Sequence, residues 1–302
     1  MLFRPLMVYC LLAINFATPN ISQAKTLNII TDIAPVRAIV DAVVADLQDT
    51  QQLIVGSFSP HDFALKPSDI RKLQKADLIV WSGPMATAGL AKLMQRPEFA
   101  QKGLALNSLP DTQLHYLRSA VGEQNVGTDN EIDPHAWLDP QNAHHWAIEI
   151  SRRLQQFDAD NASKYSTNVD QFTKKLAAQS AEIRERFSSK SVLPYFQYHD
   201  AFQYFETAFG LAPLGFATSG DEGTTSLGVL TKIRSDLGGL DRSCIFSPAH
   251  MQENAAQVFG ELSGVELGIV DPLGAILPDG FDYLQLISSI ADAFAKCLLR
   301  SS

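Results

Sequence analysis

Three of the chain's seven histidines stand in loop-like settings followed by helix-starting residues. The segments are Ser59-Pro60-His61-Asp62, Asp133-Pro134-His135-Ala136-Trp137 and Tyr198-His199-Asp200-Ala201. Neutral imidazole is a borderline donor suited to zinc, and three of them with one carboxylate make a closed tetrahedral site. These histidines are too far apart to form one short motif, but ligands so spaced can still meet in a cleft between lobes. Taken singly, an ordinary hydrogen-bonded histidine is the commoner explanation of each. Asp271 ends the apolar run before Pro272-Leu273-Gly274, where a carboxylate can face such a cleft; a turn-forming Asp before proline is its alternative. Asp62 and Asp200 read either as carboxylates that orient an imidazole through its other N–H or, more commonly, as helix caps. His144 and His145 are adjacent on a helix and point in different directions, and His250 reads as a surface residue near a helix start.

Alternating strands and helices must position these groups. Leu27 to Ile30 is a β-rich run, and Val36 to Leu47 carries apolar residues at helical spacing. Leu53 to Val55 reads as a second strand, Pro67 opens a helix with Ser68 as its cap, and Asp77 to Trp81 reads as a buried strand. From Asn161 to Ser188 the pattern changes. Tyr165, Val169, Phe172, Leu176, Ile183 and Phe187 fall on one helical face with no Gly or Pro between them. A helix of that length spans about 40 Å. The alternation then resumes, with strands over 192–198, 244–246 and 268–270 and helices over 201–209 and 283–299. The expected fold is α/β: a first lobe over 25–158, a linking helix over 159–189, and a second lobe over 190–302. His61-Asp62 and His199-Asp200 each follow a strand, and open α/β sheets bind ligands beyond the carboxyl ends of their strands.

Composition sets the compartment. Arg4, an apolar run from Leu6 to about Ala17, and Ser22-Gln23-Ala24 have the layout of a secretory signal peptide, with cleavage expected after Ala24. That leaves 278 of the 302 residues, enough for a core that needs no metal to fold. Any metal is therefore functional. Cys10 lacks the small residues before it that a lipoprotein signal carries, so a soluble, unlipidated monomer is expected. The formal charge of −9 becomes −10 once Arg4 is removed, which argues against nucleic acid as a partner. Two cysteines remain after cleavage, Cys244 and Cys297. In an exported chain an even pair suggests a disulfide, with two buried thiols as the alternative.

Longer stretches around these residues resemble a known family. They are 59–69 with 76–81, Pro134 to Pro140, Tyr198 to Phe205, and Asp271 to Gly274. Together they are similar to the ZnuA-like zinc-binding proteins of ABC metal importers, across nearly the whole mature chain. The resemblance implies two α/β lobes on a rigid helix with Zn(II) between them. It implies His61 and His135 as ligands from the first lobe, and His199 and Asp271 from the second. It also implies a Cys244–Cys297 bridge, a periplasmic location, and an inner-membrane ABC permease as partner, with a periplasmic metallochaperone as a candidate loader. Manganese-binding relatives usually replace the third histidine with a carboxylate, so His199 points to zinc.

Two departures from the family pattern stand out. Pro60 occupies the place where some relatives carry a metal-binding Glu, which leaves Asp271 or water as fourth ligand. The stretch from Leu114 to Asp133 is short and holds only His115, where many relatives have a long His-rich loop. Its acids, Glu123, Asp129, Glu131 and Asp133, read as a solvated loop with weak pull on cations. The rival functions are a metal-dependent hydrolase, a manganese- or iron-binding homologue, and an adhesin. No His-Glu-x-x-His motif, repeat or wall anchor supports the first or the last.

Overall fold

The computed structural model describes residues 26–56, 59–119, 131–218 and 226–299. The expected signal peptide, Arg4, Cys10, Glu123 and Asp129 lie outside the described residues, as does most of the polar stretch 219–226.

The first lobe contains β1 (Ile29–Thr31), α1 (Ala34–Val44), β2 (Thr50–Gln52), α2 (Pro67–Lys75), β3 (Leu78–Trp81), α3 (Ala88–Met94), α4 (Pro97–Ala100), β4 (Gly103–Ala105) and α5 (Pro140–Phe157). Then comes α6 (Ala162–Ser188), the long helix. The second lobe contains β5 (Tyr195–His199), α7 (Gln203–Phe209), β6 (Gly215–Thr218), α8 (Leu227–Gly238), β7 (Ser243–Pro248), α9 (Gln252–Phe259), β8 (Val265–Val270) and α10 (Tyr283–Leu298). Each lobe has a four-stranded sheet of parallel strands, ordered β2-β1-β3-β4 and β6-β5-β7-β8. Both sheets thus step first one way and then the other from their first strand. That reversal opens a crevice at the carboxyl ends of β1 and β3, and of β5 and β7. At the first of these Asp32 is buried. Its carboxylate accepts from the Ile33 and Ser82 N–H groups, both at 2.8 Å, and from the hydroxyls of Ser82 and, at 2.7 Å, Thr87. Burial raises its pKa, while those bonds pull it back down.

α6 is stitched to both lobes. Asn168 donates to the Val43 carbonyl of α1 (2.9 Å), and further along Gln179 donates to the Leu284 carbonyl of α10 (2.9 Å). The apolar face read from the sequence is buried, and Phe172 meets Tyr283 edge to face. As a result, side chains from Ile29 to Leu298 form one continuous core through both lobes. A second, smaller core lies under α8 and α9, on the outer face of the second sheet. Cys244 of β7 and Cys297 of α10 are disulfide-bonded. Among the described residues no helix is long and apolar enough to cross a membrane.

Several element boundaries differ from the sequence reading. The second strand is Thr50–Gln52, and Leu53 and Ile54 follow it as buried residues. β2 is an edge strand, so its own residues face solvent and the apolar ones lie past its end. Val55 is 70% exposed. The first residue of α2 is Pro67, so Ser68 lies inside the first turn; Asp69 closes that turn by accepting the Lys66 N–H at 3.0 Å. A helix expected from Ala201 begins at Gln203.

Candidate metal centre

His61 lies in the short 3₁₀ turn Pro60–Asp62, between β2 and α2. Ser59 starts that turn by accepting the His61 N–H at 3.2 Å, and Pro60 presets its backbone. His135 starts a second 3₁₀ turn, Ala136–Leu138, and His199 is the last residue of β5. Although 138 positions separate His61 from His199 in the numbering, the three rings are neighbours. The His135 ring lies 5.3 Å from that of His61 and 5.5 Å from that of His199, edge-on to both. Two imidazoles on one tetrahedral zinc, with Zn–N near 2.0–2.1 Å, would have ring centres about 5 Å apart. Among the described residues no group of three or more His, Cys, Asp or Glu side chains is close enough together to hold a metal ion as it stands.

Hydrogen bonds decide which nitrogen each ring presents. Nδ1 of His135 lies 2.7 Å from Asp133 Oδ1, which also accepts the His135 backbone N–H at 3.0 Å. Nδ1 of His199 lies 3.4 Å from the Thr218 carbonyl of β6. A carboxylate or carbonyl can only accept, so Nδ1 must carry the proton in each ring and the lone pair is on Nε2. This is the arrangement by which proteins fix metal-binding histidines.

Asp271 follows β8 directly and is buried. Its Oδ1 accepts from Leu273 and Gly274 N–H, both at 3.0 Å, and its Oδ2 from Ile276 N–H at 2.7 Å. Gly274 adopts φ +74, and a Cβ there would fall 2.2 Å from the Phe281 ring. Asp271 is therefore the turn former that the sequence allowed. Each carboxylate oxygen has two lone pairs, so one remains on Oδ2 for a cation. Asp62 is exposed, and among the bonds described no imidazole uses it. Asp200 is buried but faces Arg118, whose Nε donates to Oδ2 at 2.9 Å while its Nη2 reaches Oδ1. The same Nη2 donates to Glu206 Oε2 at 2.9 Å. One guanidinium thus faces two buried carboxylates. Burial pushes Glu206 up to about 7, with Arg118 and the Tyr195 hydroxyl pulling the other way.

Asp133, read in the sequence as part of a solvated loop, is fully buried and is the carboxylate that orients a candidate ligand. Residues 115–117 and 131–133 pair as an antiparallel ladder, with Leu117 N–H on Glu131 O and Asp133 N–H on His115 O, both at 2.8 Å. The signal was present in Asp-Pro-His, since an Asp side chain readily bonds the backbone N–H two residues on. Trp137 ties its Nε1 to the Pro272 carbonyl (2.8 Å), and Tyr283 donates to the Trp137 carbonyl (2.7 Å). The turn after His135 is thus held by the second lobe. His144 and His250 are exposed, and His145 is spent on the Pro110 carbonyl at 2.7 Å.

Comparison with known proteins places this arrangement. The chain is 31% identical over 307 residues to the high-affinity zinc uptake system protein ZnuA of Yersinia pestis, covering 95% of each. The AdcAII protein of Streptococcus pneumoniae superposes with a TM-score of 0.76 at 24% identity, over 91% of this chain and 99% of that one. The laminin binding protein of Streptococcus agalactiae, described as bifunctional with adhesin and metal transporting activity, gives 0.76 at 21% over 90% and 99%. Those two likenesses speak for the fold. A family model described as "Zinc-uptake complex component A periplasmic" matches residues 29–297. With the ring cluster and the paired parallel sheets already in view, the chain belongs to the ZnuA family.

Proposed function

We propose that the protein captures Zn(II) outside the inner membrane and delivers it to an ABC permease for import, without catalysing a reaction. The observation that carries this reading is the pair of neighbouring imidazoles, His135 and His199, their rings 5.5 Å apart and each oriented by an acceptor at its Nδ1. His61 supplies the third ring, and Asp271 Oδ2 the fourth donor. Three neutral imidazoles and one carboxylate match zinc better than manganese. A set closed by four protein donors holds no open position for a reacting water, unlike catalytic zinc. The names of the relatives agree with this reading.

Residues 1–24 act as the cleaved signal peptide, and the mature chain works as an unlipidated periplasmic monomer. Its lobes are 25–158 and 190–302, joined by 159–189. A periplasmic metallochaperone is a candidate loader.

The test is a zinc titration of the mature protein, with elemental analysis after dialysis. One zinc per chain is expected at pH 7.5. Protons compete for each imidazole, so affinity should fall below about pH 6.5, by about tenfold per pH unit for each ring that must lose a proton. Affinity unchanged at pH 5 would rule out histidine ligation. Zinc-dependent turnover of phosphodiesters or esters would replace transport with hydrolysis.

A further inference from the structure

His135 belongs to the first lobe by chain order, yet the side chains around its orienting carboxylate come from α7 of the second lobe. The Tyr204 hydroxyl is buried between the two strands of the 115–117/131–133 ladder. It donates to the Asp133 carbonyl at 2.8 Å and accepts the His115 N–H at 3.0 Å. Its ring lies 4.6 Å from that of His115. Beside it, with the Gln203 amide turned so that its nitrogen meets these acceptors and its oxygen does not, that nitrogen reaches the Tyr116 carbonyl at 3.2 Å and Asp133 Oδ2 at 3.1 Å. Asp133 therefore spends its backbone oxygen and Oδ2 on α7, and its Oδ1 on His135. Arg118, one residue beyond the ladder, anchors it to Asp200 and Glu206.

We propose that Tyr204 is a positioning residue for zinc capture: through the paired segments and Asp133 it fixes the His135 ring, so that α7 aligns this ring with His199. His199 ends β5 and α7 begins four residues later, so one rigid piece sets both rings. The hydroxyl's two hydrogen bonds go to the Asp133 carbonyl and the His115 N–H. Its effect passes through Asp133, because the two bonds it makes fix the height and rotation of the ladder from which that carboxylate reaches. The proposal rests on His135 being a zinc ligand.

The experiment compares Tyr204→Phe, Asp133→Asn, their double variant and Tyr165→Phe in the full mature chain. Tyr165 is a control, since its buried hydroxyl serves Asp158 in the first lobe. Loss of an orienting group costs roughly 10–100-fold in metal affinity. Tyr204→Phe should weaken zinc binding by about tenfold, mostly through faster release, and the double variant should be no weaker than Asp133→Asn alone. Tyr165→Phe should lower thermal stability and leave affinity unchanged. Nitrogen NMR shifts of His135 in metal-free protein should show the Nδ1–H tautomer dominant in the parent and depleted in Tyr204→Phe. Wild-type affinity with an unaltered tautomer in Tyr204→Phe would overturn the proposal. So would costs that add fully in the double variant, or an equal loss in Tyr165→Phe. If Asp133→Asn and His135→Ala both keep full affinity, it is the ligand assignment that fails, and the tautomer shift still reports on Tyr204.

Discussion

His199→Ala is expected to weaken zinc binding by at least about a hundredfold. Removing only the group that orients a ligand costs about 10–100-fold, and this substitution removes the ligand itself. The ring is almost completely buried at the carboxyl end of β5, so no other side chain on that strand can replace it. Two first-lobe rings and a carboxylate would remain, one protein donor short of the closed tetrahedral set. Competition against a chelator of known affinity measures the loss, and circular dichroism checks that the sheet survives. A variant that still holds one zinc as tightly as the parent would remove His199 from the site and leave Asp271 as the second lobe's one candidate donor.

The second large effect is on stability. Replacing Cys244 and Cys297 with alanine frees a loop closed across a sequence separation of 53. In the chain-entropy account that bond stabilises by about 4 kcal/mol, which for a chain of this size is about 10 °C in Tm. Zinc affinity should not follow. Cys244 pairs with Tyr195, the first residue of β5, whereas His199 ends that strand. At about 3.3 Å per residue the bridge lies about 13 Å from the ring. Thermal melts with and without the two cysteines, each run beside a zinc titration, separate the two properties. A fall in zinc affinity that matched the fall in Tm would mean that the bridge shapes the site.

The parts of this molecule that were legible in sequence share one property: their signal is local. His61, His135 and His199 each sit in a short segment whose neighbours mark the end of a strand or the start of a turn. The apolar period of α6 is carried by six side chains on one face, from Tyr165 to Phe187. The cysteine pair needed only a compartment. What sequence did not yield depends on distant partners. Arg118 and Asp200 are 82 positions apart, and Asp133 and Tyr204 are 71 apart. No periodicity announces such pairs, because the fold alone brings them together. Asp133 shows the difference within one residue: its turn with His135 was readable, while its burial under α7 was not. The second strand was misplaced for a related reason. Leu53 and Ile54 are apolar because they cover the end of the sheet, and β2 itself is polar because it lies at the edge.

The continuous core through both lobes also determines how the protein comes apart. Two modules with separate cores and a flexible joint would melt as two units, each with its own midpoint. Here Phe172 of the long helix packs on Tyr283 of the last one, and the same buried cluster reaches back to Ile29. Neither half can lose its interior without exposing part of the other's. Calorimetry should therefore give a single endotherm whose van't Hoff and measured enthalpies agree, and cargo bound between the lobes should raise that one transition as a whole.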